Sequence, residues 1–201
     1  MKAKTKPQVF IIESLEFDDE EKELYEGNVI SQMLRLSGKE CCYVYIRTRA
    51  ELEVVLEQFW AARYRYLHLS CHANSTAMGT TLDSITFPEL GKILEPYLDK
   101  RRLFISACKM SCRDLAKELL PHSGCYSVLG PAAKPDIADA AIFWAAFYHT
   151  MFRLNPGAMN AKRLIATAKA LSGVFSVPLN YFAPDESGIQ SLAIQPKQPA
   201  A

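Results

Sequence analysis

Five short apolar runs, separated by sequence of helical period, constrain the fold of this chain more than any other feature. Pro7 to Ser14 carries the uninterrupted run Val9-Phe10-Ile11-Ile12, the pattern of a strand buried on both faces. Cys41 to Thr48, Tyr66 to Cys71, Arg102 to Cys108 and Cys125 to Gly130 read as further strands. Between the first two, Leu24, Ile30, Met33 and Leu34 recur at helical spacing within Glu20 to Leu36, and Gly38 is a stop just past the end. Ala50 to Ala62 is a second helix with Leu52, Val55, Leu56 and Phe59 on one face. A short extended piece spans Leu82 to Phe87, and Pro88 opens a helix running to Leu98. Arg113 to Leu120, Ile137 to Leu154 and Asn160 to Leu171 complete the helices. Strands alternating with helices predict an α/β fold, a mostly parallel central sheet with helices on both faces. In the tail, Phe175 to Phe182 and Ile189 to Gln195 flank a Pro184-to-Gly188 turn, which predicts a C-terminal β-hairpin. Residues 1–196 are expected to form a single domain and residues 197–201 a frayed, disordered tail.

A chain of 201 residues, 49% of them hydrophobic, can bury one sizeable core. Val9 to Ile12 is too short for a signal-peptide core, and no apolar run approaches the roughly 18 residues of a membrane helix. The expected compartment is therefore the cytoplasm, without membrane attachment. The six cysteines are then expected as thiols, since Cys41 and Cys42 are adjacent and no regular spacing follows. A net charge of +1 with no basic stripe offers no electrostatic footprint for nucleic acid. The acidic run Glu16 to Glu23 reads as a solvated loop and the start of a helix.

In parallel sheets, ligands bind at the carboxyl ends of the strands. Two such ends stand out: Tyr66-Leu67-His68-Leu69-Ser70-Cys71-His72-Ala73 and Leu103-Phe104-Ile105-Ser106-Ala107-Cys108. One crossover helix lies between them, so the two strands form a β-α-β unit. If the two strands are neighbours, about 4.8 Å apart, His72 and Cys108 lie at one edge, within reach of a shared substrate. A free thiol with a pKa near 8.5 is only a few per cent thiolate at neutral pH. A nearby imidazole can take its proton and later protonate the leaving amine. Backbone amides at Ala73 and Cys108 are candidate oxyanion donors.

The segment Leu67 to Ala73 resembles the histidine strand of the CHAT branch of clan CD cysteine peptidases, which includes caspases, separase and gingipains. Ser84-Ile85-Thr86-Phe87-Pro88-Glu89-Leu90 resembles the segment that follows it, and Leu103 to Cys108 the nucleophile strand. Tyr126-Ser127-Val128-Leu129-Gly130, Asp136 and Phe147-Tyr148 resemble the next strand and helix. The resemblance implies a caspase-like three-layer sandwich. It also implies His72 as general base or acid, Cys108 as nucleophile, and peptide-bond cleavage with no metal or organic cofactor. A protein or peptide substrate, a regulatory or sensor protein and a bacterial defence setting are implied in the same way. Where the family has glycine after the histidine, this chain has Ala73, which a positive φ would strain. The tryptophan that usually follows Gly130 is also missing, within Pro131-Ala132-Ala133. A caspase-fold binding or scaffold module with a silent dyad is therefore the alternative reading.

Further candidates carry two readings each. Asp136 is either a helix N-terminal carboxylate or an acidic wall selecting a basic substrate side chain. Asp83, in the loop near the histidine, carries the same ambiguity. Cys71, His72, Cys108 and Cys112 could gather as a zinc site, but strand alternation sends Cys71 and His72 to opposite faces. His68 alternates with Ser70 and His72 and is expected in the core. Phe143, Trp144, Phe147, Tyr148 and Phe152 are expected in the core or on a partner surface. A flavodoxin-like phosphate-binding domain is disfavoured, because the turn from Glu13 to Glu20 is acidic and lacks glycine.

Overall fold

The computed structural model describes residues 4–196. The expected tail, 197–201, lies outside the described residues. The first strand, β1 (Lys6–Ser14), shows why the opening apolar run is uninterrupted. Val9 and Ile11 point into one core and Phe10 and Ile12 into another, on opposite faces of the sheet. Around it lie β2 (Cys41–Tyr45), β3 (Tyr64–Ala73), β6 (Arg102–Ser106) and β7 (Ser127–Pro131), all parallel. β8 (Leu179–Asp185) and β9 (Gly188–Ile194) close the sheet antiparallel, giving the order β2-β1-β3-β6-β7-β8-β9. The predicted hairpin is therefore β8–β9. Its turn is held by the Asp185 carboxylate, which accepts from the Ser187 amide at 2.8 Å.

Helices cover both faces, and the chain is a three-layer α/β sandwich. α3 (Arg49–Ala62), α4 (Phe87–Leu94) and α5 (Arg113–Ser123) pack with Leu67, Leu69, Leu103 and Ile105 on one side. α2 (Glu26–Leu36), α6 (Ile137–Leu154) and α7 (Ala161–Phe175) pack on the other. The aromatic stripe of α6 is core: Phe143, Trp144, Phe147, Tyr148 and Phe152 are buried over Tyr66 and Phe104. His68 lies in the same layer, its ring centroid 5.0 Å from that of Trp144 and its Nδ1 2.9 Å from the Tyr148 hydroxyl. Burial drives its pKa down to about 3, so it is a neutral core residue.

Several elements differ from the sequence reading. The helix expected over Glu20 to Leu36 is two helices, α1 (Phe17–Glu21) and α2. A left-handed turn at Glu23, φ 55°, separates them. The break lets α2 start against β1, where the Glu13 carboxylate accepts from the Gly27 amide at 2.6 Å. Gly27 allows a close approach there, since a Cβ would stand 3.0 Å from Ile11 and 3.1 Å from the Glu13 carboxyl carbon. The extended piece after β3 is a hairpin of β4 (Ala77–Gly79) and β5 (Ser84–Thr86), with β4 antiparallel to the last residues of β3. β6 ends at Ser106, two residues before the expected Cys108, which lies in the following turn.

Candidate active site

The pairing of β3 with β6 builds the site. Ser70 is in register with Ser106, and His72 and Cys108 follow two residues further along each chain. Alternation sends Ser70, His72 and Ser106 toward the face covered by α2 and α6, and the turn after β6 brings Cys108 to the same cavity. Residues on that face change character along the strands. Tyr66, His68 and Phe104 pack against the aromatic face of α6, whereas Ser70 and Ser106 reach a carboxylate on α2. A cavity of about 340 Å³ opens at this carboxyl edge, lined among others by Asp19, Glu26, His72, Cys108 and Lys134. His72 and Cys108 thus line one cavity although 36 positions apart in sequence.

The α1 segment presents a carboxylate to the histidine. His72 Nε2 is 2.6 Å from Asp19 Oδ2, and Nδ1 is 4.0 Å from Glu16 Oε1. A carboxylate only accepts, so Nε2 carries the proton in this bond. In the neutral ring that leaves the lone pair on Nδ1, the tautomer a general base needs. α1 is itself anchored: Glu20 pairs with Arg47 at 2.7 Å and accepts from the Tyr45 hydroxyl at the end of β2. The acidic run read from the sequence as solvated is therefore tied down at Glu20 and delivers Asp19 to His72.

Partial burial pushes the Cys108 thiol above its usual range. Lys134, its own backbone amide and Lys109 pull in the opposite direction, and Glu26 adds to the rise. The resting group is a thiol that needs a base. Lys109 follows it with φ 55°, a left-handed turn immediately after Cys108. Gly130 on β7 makes room beside that turn: a Cβ there would meet the Ile105 carbonyl at 2.6 Å and Ser111 Cβ at 3.0 Å.

Beneath the cavity lies a buried polar network that the sequence did not expose. Glu26 accepts from Ser106 at 2.5 Å and from Ser70 at 2.9 Å. Ser70 also lies 3.3 Å from Glu13, which accepts from Tyr43 at 2.7 Å. Burial raises the pKa of Glu26 to about 8; the two serines oppose the rise and the Glu13 charge adds to it. Glu13 is raised too, first by burial and against its hydrogen bonds. The available signal was a glutamate at an inward position of β1, with serines two residues before His72 and Cys108.

The remaining candidates lie elsewhere. Ala73 ends β3 paired with Met78, and its φ is not positive, so alanine is unstrained there. Asp136 caps α6, accepting from the Ala138 amide at 2.8 Å, and lines a neighbouring cavity. Asp83 accepts from the Arg49 amide at 2.7 Å at the start of α3. Cys71 is buried on the opposite face from His72, its sulfur 4.0 Å from that of Met110. Among the described residues no group of three or more His, Cys, Asp and Glu side chains is arranged to hold a metal. All six cysteines are free, and no described helix is long and apolar enough to cross a membrane.

This architecture is similar to that of caspase-like cysteine proteases of known structure. A secreted C11 cysteine protease from Bacteroides thetaiotaomicron, "iotapain", superposes with TM-score 0.62 at 9% identity, over 90% of this chain and 67% of that one. Caspase-1 from Spodoptera frugiperda gives 0.56 at 11% identity, over 98% and 94%. The Arg-specific proteinase gingipain R gives 0.55 at 15% identity, over 83% of this chain and 42% of that one. At such identities the likeness is one of fold. No family model matches the chain, and no curated protein matches it by sequence.

Proposed function

We propose that this chain is a cysteine endopeptidase of the CHAT, caspase-like type, with residues 1–196 as its single domain. The observation that carries the reading is the shared cavity of His72 and Cys108 at the carboxyl edge of β3 and β6. In the proposed reaction the Cys108 proton passes to His72 Nδ1 as the sulfur attacks the peptide carbonyl carbon. Amides of Ala73 and Cys108 receive the charge on the carbonyl oxygen. The amine leaves with the proton from His72, and water then hydrolyses the thioester to a carboxylate and the free thiol. Asp19 acts as a positioning residue, holding the imidazole by Nε2. His72 hydrogen-bonds to Asp19 and not to Cys108, so the proton transfer calls for substrate or a partner to bring the two together.

The cavity lining carries more acid than base: Glu16, Asp18 and Asp19 against Lys22 and Lys134, with Glu26 largely protonated at neutral pH. That balance favours a protein or peptide substrate with a basic side chain at the cleavage position, a role the sequence reading gave to Asp136 and Asp83. A regulatory or sensor protein as trigger, and a part in bacterial defence, belong to the same proposal. The test is hydrolysis of a peptide library by the intact chain and by Cys108→Ala and His72→Ala. Both variants should be inactive while melting as the parent does. Undiminished hydrolysis by Cys108→Ala would discard the reading. A parent chain that neither hydrolyses nor becomes labelled by a peptide acylating agent at Cys108, even with its partner, would favour the silent binding module.

A further inference from the structure

A cavity larger than that of the dyad lies at the opposite pole, at the amino ends of the strands. It has a volume of about 730 Å³, within the range of sites for drug-sized ligands. Six cations line it, Lys4, Arg63, Arg65, Lys100, Arg101 and Arg102, with Asp99 as the single carboxylate. The whole chain carries a net charge of only +1, so positive charge is concentrated here and the rest of the molecule is net negative. The cause is topological. Arg63 and Arg65 lead into β3, Lys100 to Arg102 lead into β6, and the two strands are neighbours with Tyr66 opposite Arg102.

The arrangement is built, not scattered. Arg101 is 3% exposed, its guanidinium lying 4.3 Å from the Trp60 ring and donating to the carbonyls of Tyr64 and Asp99. Arg65 donates to the Thr5 hydroxyl and to the carbonyls of Thr5 and Gly157. Arg102 donates to the Met159 carbonyl and the Ser127 hydroxyl. These hydrogen bonds go to neutral acceptors and fix the guanidinium groups, with the Asp99 carboxylate acting on Arg101. Arg63 and Lys100 are exposed and hold left-handed φ values of 60° and 58° in the turns before their strands. Such turns favour glycine or asparagine, and both carry a cation facing the same cavity. Two half-exposed aromatic rings, Trp60 and Tyr126, form part of the wall.

We propose that this cavity binds a compact, phosphate-rich anion of several charges, such as a polyphosphate or a nucleoside triphosphate. Like charges crowded into one concavity repel one another, and a multivalent anion relieves that repulsion while accepting from several fixed donors. Convergence on a cavity, with no stripe leading away from it along the sequence, favours a small ligand over a nucleic-acid strand. The inference is independent of the dyad.

The test uses the intact chain with tripolyphosphate, ATP, sulfate at matched ionic strength and a 12-residue oligonucleotide, followed by calorimetry and tryptophan fluorescence. Tripolyphosphate should saturate one site with a Kd on the order of 10 μM at low salt. Arg63→Glu combined with Lys100→Glu should weaken it by about tenfold or more, and the milder Arg63→Gln with Lys100→Gln by less. Equal affinity for ATP and tripolyphosphate assigns the site to the phosphates alone, and tighter ATP binding adds the base against the aromatic wall. Three results overturn the proposal: no saturable response to tripolyphosphate beyond that to sulfate, undiminished binding by the folded double-charge-reversal variant, or tighter binding of the oligonucleotide than of ATP.

Discussion

The two ends of the β3–β6 pair are opposites. At the carboxyl end the cavity holds the dyad, four acids and two lysines; at the amino end it holds six cations and one acid. The same two strands serve both, because parallel pairing aligns every amino-end residue of one with that of the other, and likewise every carboxyl-end residue. The depth of burial also differs. The acids beneath the dyad are buried and raised in pKa, so part of that charge is neutralised by protonation. An arginine cannot escape in that way, and the cations of the amino-end cavity keep their charge. One pole is thus a neutral thiol site beside acids of adjustable charge, and the other a fixed positive site.

The largest expected effect tests whether the poles are separate. Cys108→Ala should lower peptide hydrolysis by about 10³-fold or more and leave tripolyphosphate binding unchanged in calorimetry. A matching loss of anion binding would mean the ends are coupled.

Glu26→Gln tests the adjustable acids. With a folded pKa of about 8 against an ordinary 4.5, folded Glu26 keeps a proton that the unfolded chain has released between those values. Wild-type stability should therefore fall as pH rises from about 4.5 to about 8, by up to a few kcal/mol at about 1.4 kcal/mol per unit. The glutamine variant should lose this component, and denaturant melts at pH 5, 7 and 9 will show whether its curve is flatter. Parallel curves for the two proteins would place the Glu26 titration elsewhere.

Asp19→Asn should lower kcat by about 10- to 30-fold through loss of the Nε2 partner, with the pH–rate profile displaced and melting little changed. An unaltered profile would reduce Asp19 to a structural role. The smallest effect belongs to Ala73→Gly. Because Ala73 is not at positive φ, kcat should stay within about twofold, and stability should drop by no more than about 1 kcal/mol. A large gain in kcat would show that the alanine obstructs the site after all.

Much of this was legible in the sequence, and the limits are physical. Strand and helix order could be read because burial imposes periods of two and 3.6 residues on local sequence. Ile137 to Leu154 matches its helix end to end, since its apolar face is wide and Asp136 caps it. The break at Glu23 was missed because the apolar positions that mark the helix, Leu24, Ile30, Met33 and Leu34, all lie after it, and the charged residues from Glu20 to Glu23 carry no period that would report a turn. Asp19 could not be singled out among the acids of its run, because which acid meets His72 depends on how Glu20 is anchored to Tyr45 and Arg47. The basic pole was invisible for the same reason: Arg63-Tyr64-Arg65 and Lys100-Arg101-Arg102 are short and far apart in the chain.

The sequence by itself determined the alternation of strands and helices, the layered α/β class and the position of His72 and Cys108 at the carboxyl ends of two strands. Those follow from local periodicity and from the rule that parallel strands place their carboxyl ends on one edge. Tertiary structure alone decided that β3 and β6 are neighbours in register. It also decided that α1 brings Asp19 to the histidine, that Glu26 accepts from both Ser70 and Ser106, and that six cations share one cavity. These depend on contacts between distant segments, and no period within a single segment records them.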